Sequence, residues 1–209
     1  VLFGRNGCGK STLLRIGAEL LPPESCVITF AGRKWMRTRL HVVARRGLFY
    51  LPERGLLAHT LTLRAHLDMV TRRFGGNAAW AGHVAELGLD SLLDRRPDQL
   101  SGGEQRRGEL AIALTRGPKV MLADEPLMGI APVDAERIGA ALRRLAAAGC
   151  AVVVTGHEVP TLLDYADDVV WMTAGTTHEL GAPASALLNW QFRREYLGAS
   201  KVPHLNERP

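Results

Sequence analysis

The sequence predicts an α/β fold: a mostly parallel β-sheet flanked by helices, with a helical subdomain inserted into it. Three observations carry this. Short apolar, β-rich runs at residues 1–3, 27–30, 48–51, 120–123, 151–154 and 169–172 read as buried strands. Helix-like stretches lie between several of them, as a parallel sheet requires of its crossovers. The strand signal vanishes between about residues 61 and 96, where Leu63, His66, Leu67 and Val70, then Val84, Leu87, Leu92 and Leu93, recur at helical spacing.

Taken in order, Val1-Leu2-Phe3 supplies a strand that runs into Gly4-Arg5-Asn6-Gly7-Cys8-Gly9-Lys10-Ser11. This is the G-x-x-x-x-G-K-S pattern of a phosphate-cradling loop, and it places the chain among P-loop nucleoside triphosphatases (NTPases). Glycines let successive backbone N–H groups turn toward a phosphate, and the helix beginning at Lys10 and running on through Leu13-Leu14-Arg15-Ile16 offers its free amides. Lys10 is suited to the β- and γ-phosphates, Ser11 to Mg²⁺, and Gly4, Asn6, Gly7, Gly9 and Thr12 to the phosphate wall. An ordinary Gly-rich turn is the bland alternative, and the strand–loop–helix context argues against it.

Residues 33–46 carry Arg33, Lys34, Arg37, Arg39, Arg45 and Arg46 with no acidic residue among them. The run reads as a solvated face, with contact to a membrane surface or a partner as the alternative. Further on, Leu100-Ser101-Gly102-Gly103-Glu104-Gln105-Arg106-Arg107 sets a serine and two glycines before a helix predicted over 104–116. Ser101 and Glu104 fit a capping box, and the same helix start is a second anion site; capping does not use every free amide, so both readings stand. The run Val120-Met121-Leu122-Ala123 ends in Asp124-Glu125-Pro126. Asp124 is suited to hold Mg²⁺ and Glu125 to polarise an attacking water. A helix over 133–148 closes at Gly149, and the polar tail from Lys201 to Pro209 reads as loosely held.

Bulk properties bound the rest. With 209 residues and 46% hydrophobic residues the chain can bury a substantial core. A net charge of +5 is too mild an excess to argue for nucleic acid. Cys8, Cys26 and Cys150 lack metal-ligand spacing and read as reduced thiols of a cytosolic compartment. No apolar run reaches the roughly 18 to 20 residues that span a bilayer, and no signal-peptide pattern is present.

In their order along the chain, the phosphate loop, the Leu-Ser-Gly-Gly turn and the Asp-Glu strand end make the sequence resemble the nucleotide-binding domain of an ATP-binding cassette (ABC) transporter over essentially its whole length. The resemblance implies a single domain over 1–209 with a helical subdomain at about 54–117, binding ATP and Mg²⁺. It implies a second ATPase chain, identical or different, paired head to tail, so that Ser101, Gly102 and Gly103 serve the nucleotide of the partner. It implies transmembrane permease subunits as partners, no nucleic acid, and a cytoplasmic, peripheral place on the inner face of the cell membrane. His157 in Val154-Thr155-Gly156-His157-Glu158 matches the switch histidine that senses the γ-phosphate. Glu53 stands where most members have a glutamine that links Mg²⁺ and the membrane subunit; a carboxylate can still ligand Mg²⁺, so altered coupling is expected. In Met128-Gly129-Ile130-Ala131-Pro132, which matches the loop between protomers, Ala131 replaces the usual aspartate. The Pro52-Glu53 pair, the Gly-Ile-Ala-Pro segment and the ending Arg194-Glu195-Tyr196-Leu197-Gly198 are similar to ATPases of branched-chain amino acid importers. That ending also resembles lipopolysaccharide-export ATPases. A soluble cassette acting on DNA or ribosomes, and an incomplete cassette without turnover, are the competing readings.

In this family the phosphate loop follows roughly 30 residues that hold the first strands and an adenine-stacking aromatic residue, and the sequence contains nothing to fill that place. The expectation is that the 209-residue chain binds ATP weakly and with little base selectivity. Titration with ATP and GTP checks it, and micromolar affinity with a strong preference for ATP would overturn it.

Overall fold

The computed structural model describes residues 1–25, 27–30, 32–35, 40–74 and 80–198. Cys26, Arg37, Arg39 and the tail from Lys201 to Pro209 lie outside the described residues, as do the side chain of Arg33 and its part in the basic run.

The elements run β1 (Leu2–Phe3), α1 (Lys10–Gly17), β2 (Ile28–Phe30), β3 (Arg33–Trp35), α2 (Leu40–Arg45), β4 (Leu48–Leu51), α3 (Leu63–Phe74), α4 (Trp80–Glu86), α5 (Gly102–Arg116), β5 (Val120–Ala123), α6 (Pro132–Ala147), β6 (Ala151–Val154), α7 (Val159–Tyr165), β7 (Val169–Thr173), β8 (Thr176–Gly181), α8 (Pro183–Leu188) and α9 (Trp190–Phe192). Two short 3₁₀ turns, Asp90–Leu92 and Pro97–Gln99, separate α4 from α5.

β4, β5 and β6 pair in parallel, with Leu48 opposite Val120 and Val120 opposite Ala151. β1 pairs in parallel with β7, and a single parallel bridge from Leu2 to Thr155 sets it beside the end of β6. Through that bridge the strand order is β4-β5-β6-β1-β7-β8. Only β8 in this series runs antiparallel, pairing with β7. The carboxyl ends of β1, β4, β5 and β6 therefore point the same way, which is where ligands gather in open parallel sheets.

Two expectations are corrected. The run at 27–30 does not join the parallel sheet: β2 pairs antiparallel with β3 in a separate two-stranded ribbon. Nor is it buried, since Val27 is 58% exposed and β2 is only partly covered. Apolar composition reported the side that packs on Leu14, Val43 and Leu48 and nothing about pairing.

The main core collects Phe3, Leu51, Leu67, Leu110, Met121, Ile138 and Trp171 from strands and helices alike. Helices start where local chemistry allows. α5 begins in a capping box, with Glu104 N–H donating to Ser101 Oγ at 3.3 Å and Ser101 N–H donating to Glu104 Oε2 at 2.7 Å. α6 starts on Pro132 without a side-chain cap, because Ala131 at the cap position has no oxygen to offer.

One buried cation fixes where the sheet meets α5. Arg106, 5% exposed, donates to the carbonyls of Asp124 (2.9 Å), Glu125 (3.1 Å) and Pro126 (3.1 Å) after β5, and to Pro52 (2.7 Å) after β4. Its charge is matched by Glu109 one turn on, at 2.7 Å. Glu109 in turn accepts from Leu56 N–H at 3.3 Å. Removing one partner of such a pair leaves the other charge buried alone. Arg106→Ala is therefore expected to lower unfolding stability by about 3–5 kcal/mol in urea titrations; a loss below about 1 kcal/mol, the range of an exposed pair, would contradict the assignment.

Candidate functional site

The phosphate loop follows β1 and closes onto α1. Gly9 sits at φ +107°, a left-handed conformation that side chains rarely adopt, and it lets the chain turn directly into the helix. α1 has no side-chain cap, so its first amides remain available to an anion, with the helix dipole behind them. Lys10 is 6% exposed; its Nζ donates to Gly4 O at 2.7 Å and Arg5 O at 3.4 Å and lies 3.9 Å from Glu125 Oε1. Arg5, Asn6, Gly7 and Thr12 face solvent along the loop rim.

Across from the loop, the turn after β5 holds two carboxylates in different states. Asp124, 1% exposed, is fully engaged: Ser11 Oγ donates to its Oδ1 at 3.0 Å, Thr155 Oγ1 to the same oxygen at 2.9 Å, and Tyr50 OH to Oδ2 at 3.3 Å. Glu125 is the opposite case. Its backbone lies at φ +48°, held there by its N–H on Thr155 Oγ1 at 3.0 Å and by Arg106 on its carbonyl. Strain in a non-glycine residue persists only where surroundings enforce it, and it concentrates at functional sites. Glu125 Oε2 is buried without a hydrogen-bond partner, while Oε1 faces His157 Nε2 at 3.1 Å. Burial pushes the Glu125 carboxyl up to about 7, against the pull of Lys10, and the negative charges of Glu158, Asp124 and Glu53 add to the rise. Burial, with Lys10 beside it, holds the His157 imidazole below its ordinary value.

Ser11, Lys10, Asp124, Glu125 and His157 therefore converge at one place. Glu53 does not join them: it is exposed, 3.6 Å from Arg54, and lines a groove with Gly102, Gln105 and Met128. Ser101 and Gly102 also face solvent. A Cβ at Gly103 would meet Asp134 Oδ2 at 2.5 Å, so this glycine lets α5 approach α6, whereas a Cβ at Gly102 would meet nothing within 4 Å. The described residues contain no group of three or more His, Cys, Asp or Glu placed to hold a metal by themselves. The hydroxyl of Ser11 and the carboxylate of Asp124 are hard oxygen donors, and such a pair suits Mg²⁺, which takes few protein ligands and completes its shell from water and phosphate.

Sequence reasoning missed Thr155, Tyr50, Arg106 and Tyr196. The hydroxyl of Thr155 follows directly on the apolar run at 151–154, and Arg106 and Glu109 place opposite charges three apart on the Leu/Ala-rich helix; both signals were readable. Tyr50 and Tyr196 act across 74 and 39 residues, respectively, to Asp124 and His157, and left no local trace.

A glycine-turned phosphate loop facing a buried Asp-Glu pair at the carboxyl edge of a parallel sheet is the arrangement expected of a nucleoside-triphosphate site. The family model for the ABC transporter matches residues 1–128, and the chain belongs to that family. It is 36% identical over 187 residues to an Fe(3+) ions import ATP-binding protein of Rhodococcus jostii, covering 87% of this chain and 54% of that protein, so it spans about half the length of that relative. To the lipopolysaccharide export system ATP-binding protein of Haemophilus influenzae it is 30% identical over 205 residues, 94% of this chain and 84% of that one. A bacterial ABC transporter cassette solved as a dimer superposes with a TM-score of 0.75 at 22% identity, over 86% of this chain and 84% of that one, a likeness of fold. Among the described residues no helix is long and apolar enough to cross a membrane.

The Glu125 shift has a testable sign. Below about 4.5, the ordinary value of a glutamic acid, folded and unfolded chains both hold the proton; between there and about 7 only the folded chain keeps it. Glu125 therefore contributes stability that is lost as pH rises toward 7. Thermal unfolding across this range should show the parent losing stability relative to Glu125→Gln as pH rises; parallel curves would contradict the buried-carboxyl assignment.

Proposed function

We propose that the chain is the ATP-hydrolysing subunit of an ABC transporter, pairing with a second ATPase chain around Mg-ATP and driving a separate membrane permease from the cytoplasmic face. The observation that carries this reading is Glu125: a strained, buried carboxylate with one free oxygen, one residue from the Asp124 that engages Ser11, and beside both Lys10 and His157.

In this reading Gly4, Asn6, Gly7, Gly9 and Thr12 wrap the phosphates with backbone amides, and Lys10 moves its ammonium from the loop carbonyls to phosphate oxygens. Ser11 and Asp124 hold Mg²⁺, which, when bound, neutralises charge on the phosphates and orients them. Glu125 accepts the proton of an attacking water, and His157 reports on the γ-phosphate from the other side of Glu125. Glu53, in its exposed groove, joins the metal only if its loop moves inward. Ser101, Gly102 and Gly103 serve the nucleotide held by the partner chain, and the exposure of Ser101 and Gly102 together with the open space over Gly102 supports that. The helical stretch at about 54–117 forms the subdomain between the two halves of this machinery.

For the cargo, the 194–198 ending and the Pro52-Glu53 loop support uptake of branched-chain amino acids. The lipopolysaccharide-export type is the second reading, favoured by the 30% identity to the Haemophilus influenzae ATPase over 84% of that protein. The Rhodococcus jostii relative is an Fe(3+) ions import ATP-binding protein.

Glu125→Gln keeps the side chain's shape and removes the base. Phosphate release is expected to fall by about 10²–10⁴-fold while nucleotide binding persists. Hydrolysis at the parent rate would show that another group is the base.

A further inference from the structure

The chain leaves the parallel ladder at Glu125. Ala123 stands opposite Val154, and the next bond of the ladder is still made, with Thr155 N–H donating to Ala123 O at 3.0 Å. The regular spacing of a parallel pair would then carry Glu125 N–H to the backbone carbonyl of Thr155. It goes instead to the side chain, Thr155 Oγ1, at 3.0 Å. Glu125 has turned to φ +48°, out of the strand, and the hydroxyl stands in for the carbonyl it has turned away from.

Thr155 follows Val152-Val153-Val154 and is 0% exposed, so a further valine would fill the same space with no hydroxyl to bury. A buried hydroxyl is costly unless paired, and this one is paired twice. A hydroxyl has one hydrogen to give and lone pairs with which to accept. Glu125 N–H can only donate, so Oγ1 accepts there. Its one hydrogen goes to Asp124 Oδ1 at 2.9 Å, the oxygen that also accepts from Ser11. The carbonyl of Glu125 is held from the other side by Arg106 at 3.1 Å.

We propose that Thr155 is a positioning residue whose single hydroxyl holds the Asp124 carboxylate and the strained turn at Glu125 in one fixed register. Its backbone lies where β1, β5 and β6 meet, bonded to Ala123 and bridged to Leu2, so the sheet itself fixes the hydroxyl. Asp124 and Glu125 are thereby placed against the same rigid group. Without the hydroxyl, the buried N–H of Glu125 loses its acceptor and the strain at φ +48° loses one of the bonds that maintain it. The turn then relaxes and carries the Glu125 carboxylate away from Lys10 and His157. The effect on turnover rests on the ATPase reading; the hold on the turn does not.

The first readout needs no nucleotide: amide hydrogen exchange of the chain followed by NMR. In the parent, Glu125 N–H is expected to be protected along with the N–H of residue 155, which sits on Ala123 O. In Thr155→Val, which keeps the branched shape, Glu125 N–H is expected to exchange at least about tenfold faster while the N–H at position 155 stays protected, and Thr155→Ser is expected to restore the parent rate. A Glu125 N–H that exchanges like a solvent-facing amide in the parent, or equal rates in parent and Thr155→Val, would overturn the proposal, and the parent measurement decides even if the variant does not fold. The second readout is Mg-ATP hydrolysis, where Thr155→Val is expected to lower kcat by about 10- to 100-fold with KM within about twofold, and Thr155→Ser to recover it. An unchanged kcat, a loss carried by KM, or an equal loss in Thr155→Ser would overturn the positioning role. A parent that hydrolyses no ATP but shows the expected exchange pattern would remove the ATPase reading and leave the hold on the turn standing.

Discussion

Two carboxylates buried at the end of one strand constrain the rest of this structure. The parallel sheet brings β5 to an end at its carboxyl edge, and the next residues, Asp124 and Glu125, are 1% and 8% exposed. A buried carboxylate is costly unless paired, so the surroundings must supply donors. Ser11, Thr155 and Tyr50 supply hydroxyls to Asp124 from three other elements, and Arg106 supplies a guanidinium to the turn's carbonyls. These bonds join the phosphate loop, β4, α5 and the end of β6 to a single turn. Glu125 is the exception, with one oxygen left unpaired and its backbone held in strain. The network pays for one reactive group.

Arg106 and Glu109 extend the same logic outward. They are close-packed, oppositely charged and almost fully buried, and they connect the backbone after β4 to the backbone after β5. Leu56 N–H on Glu109 and Arg106 on Pro52 O thus tie the backbone on both sides of Glu53 to α5.

The phosphate loop, the capping box and the Asp124-Glu125 strand end were legible in the sequence because each is a contiguous pattern whose chemistry is local. The largely parallel direction of the strands was legible from their alternation with helices, but their order across the sheet was not. β8 was not, because an exposed edge strand such as Thr176-Thr177-His178-Glu179 is polar and lacks the apolar run that marks a buried one. β2 misled in the reverse direction, since one apolar side in a ribbon looks like a buried strand. His157 was found by resemblance, but its neighbour Tyr196 was not, because that contact forms only when the last described helical turn folds back beside β1.

The proposed hydrolytic site is one completed by a second copy or a partner, a reading supported by the solvent-facing helix start at Ser101. The most direct measurement is phosphate release from Mg-ATP by the purified chain across a wide range of chain concentrations. Activity per chain is expected to rise with concentration and then saturate, as two chains pair around nucleotide. Activity per chain that is constant at every concentration would contradict a shared site.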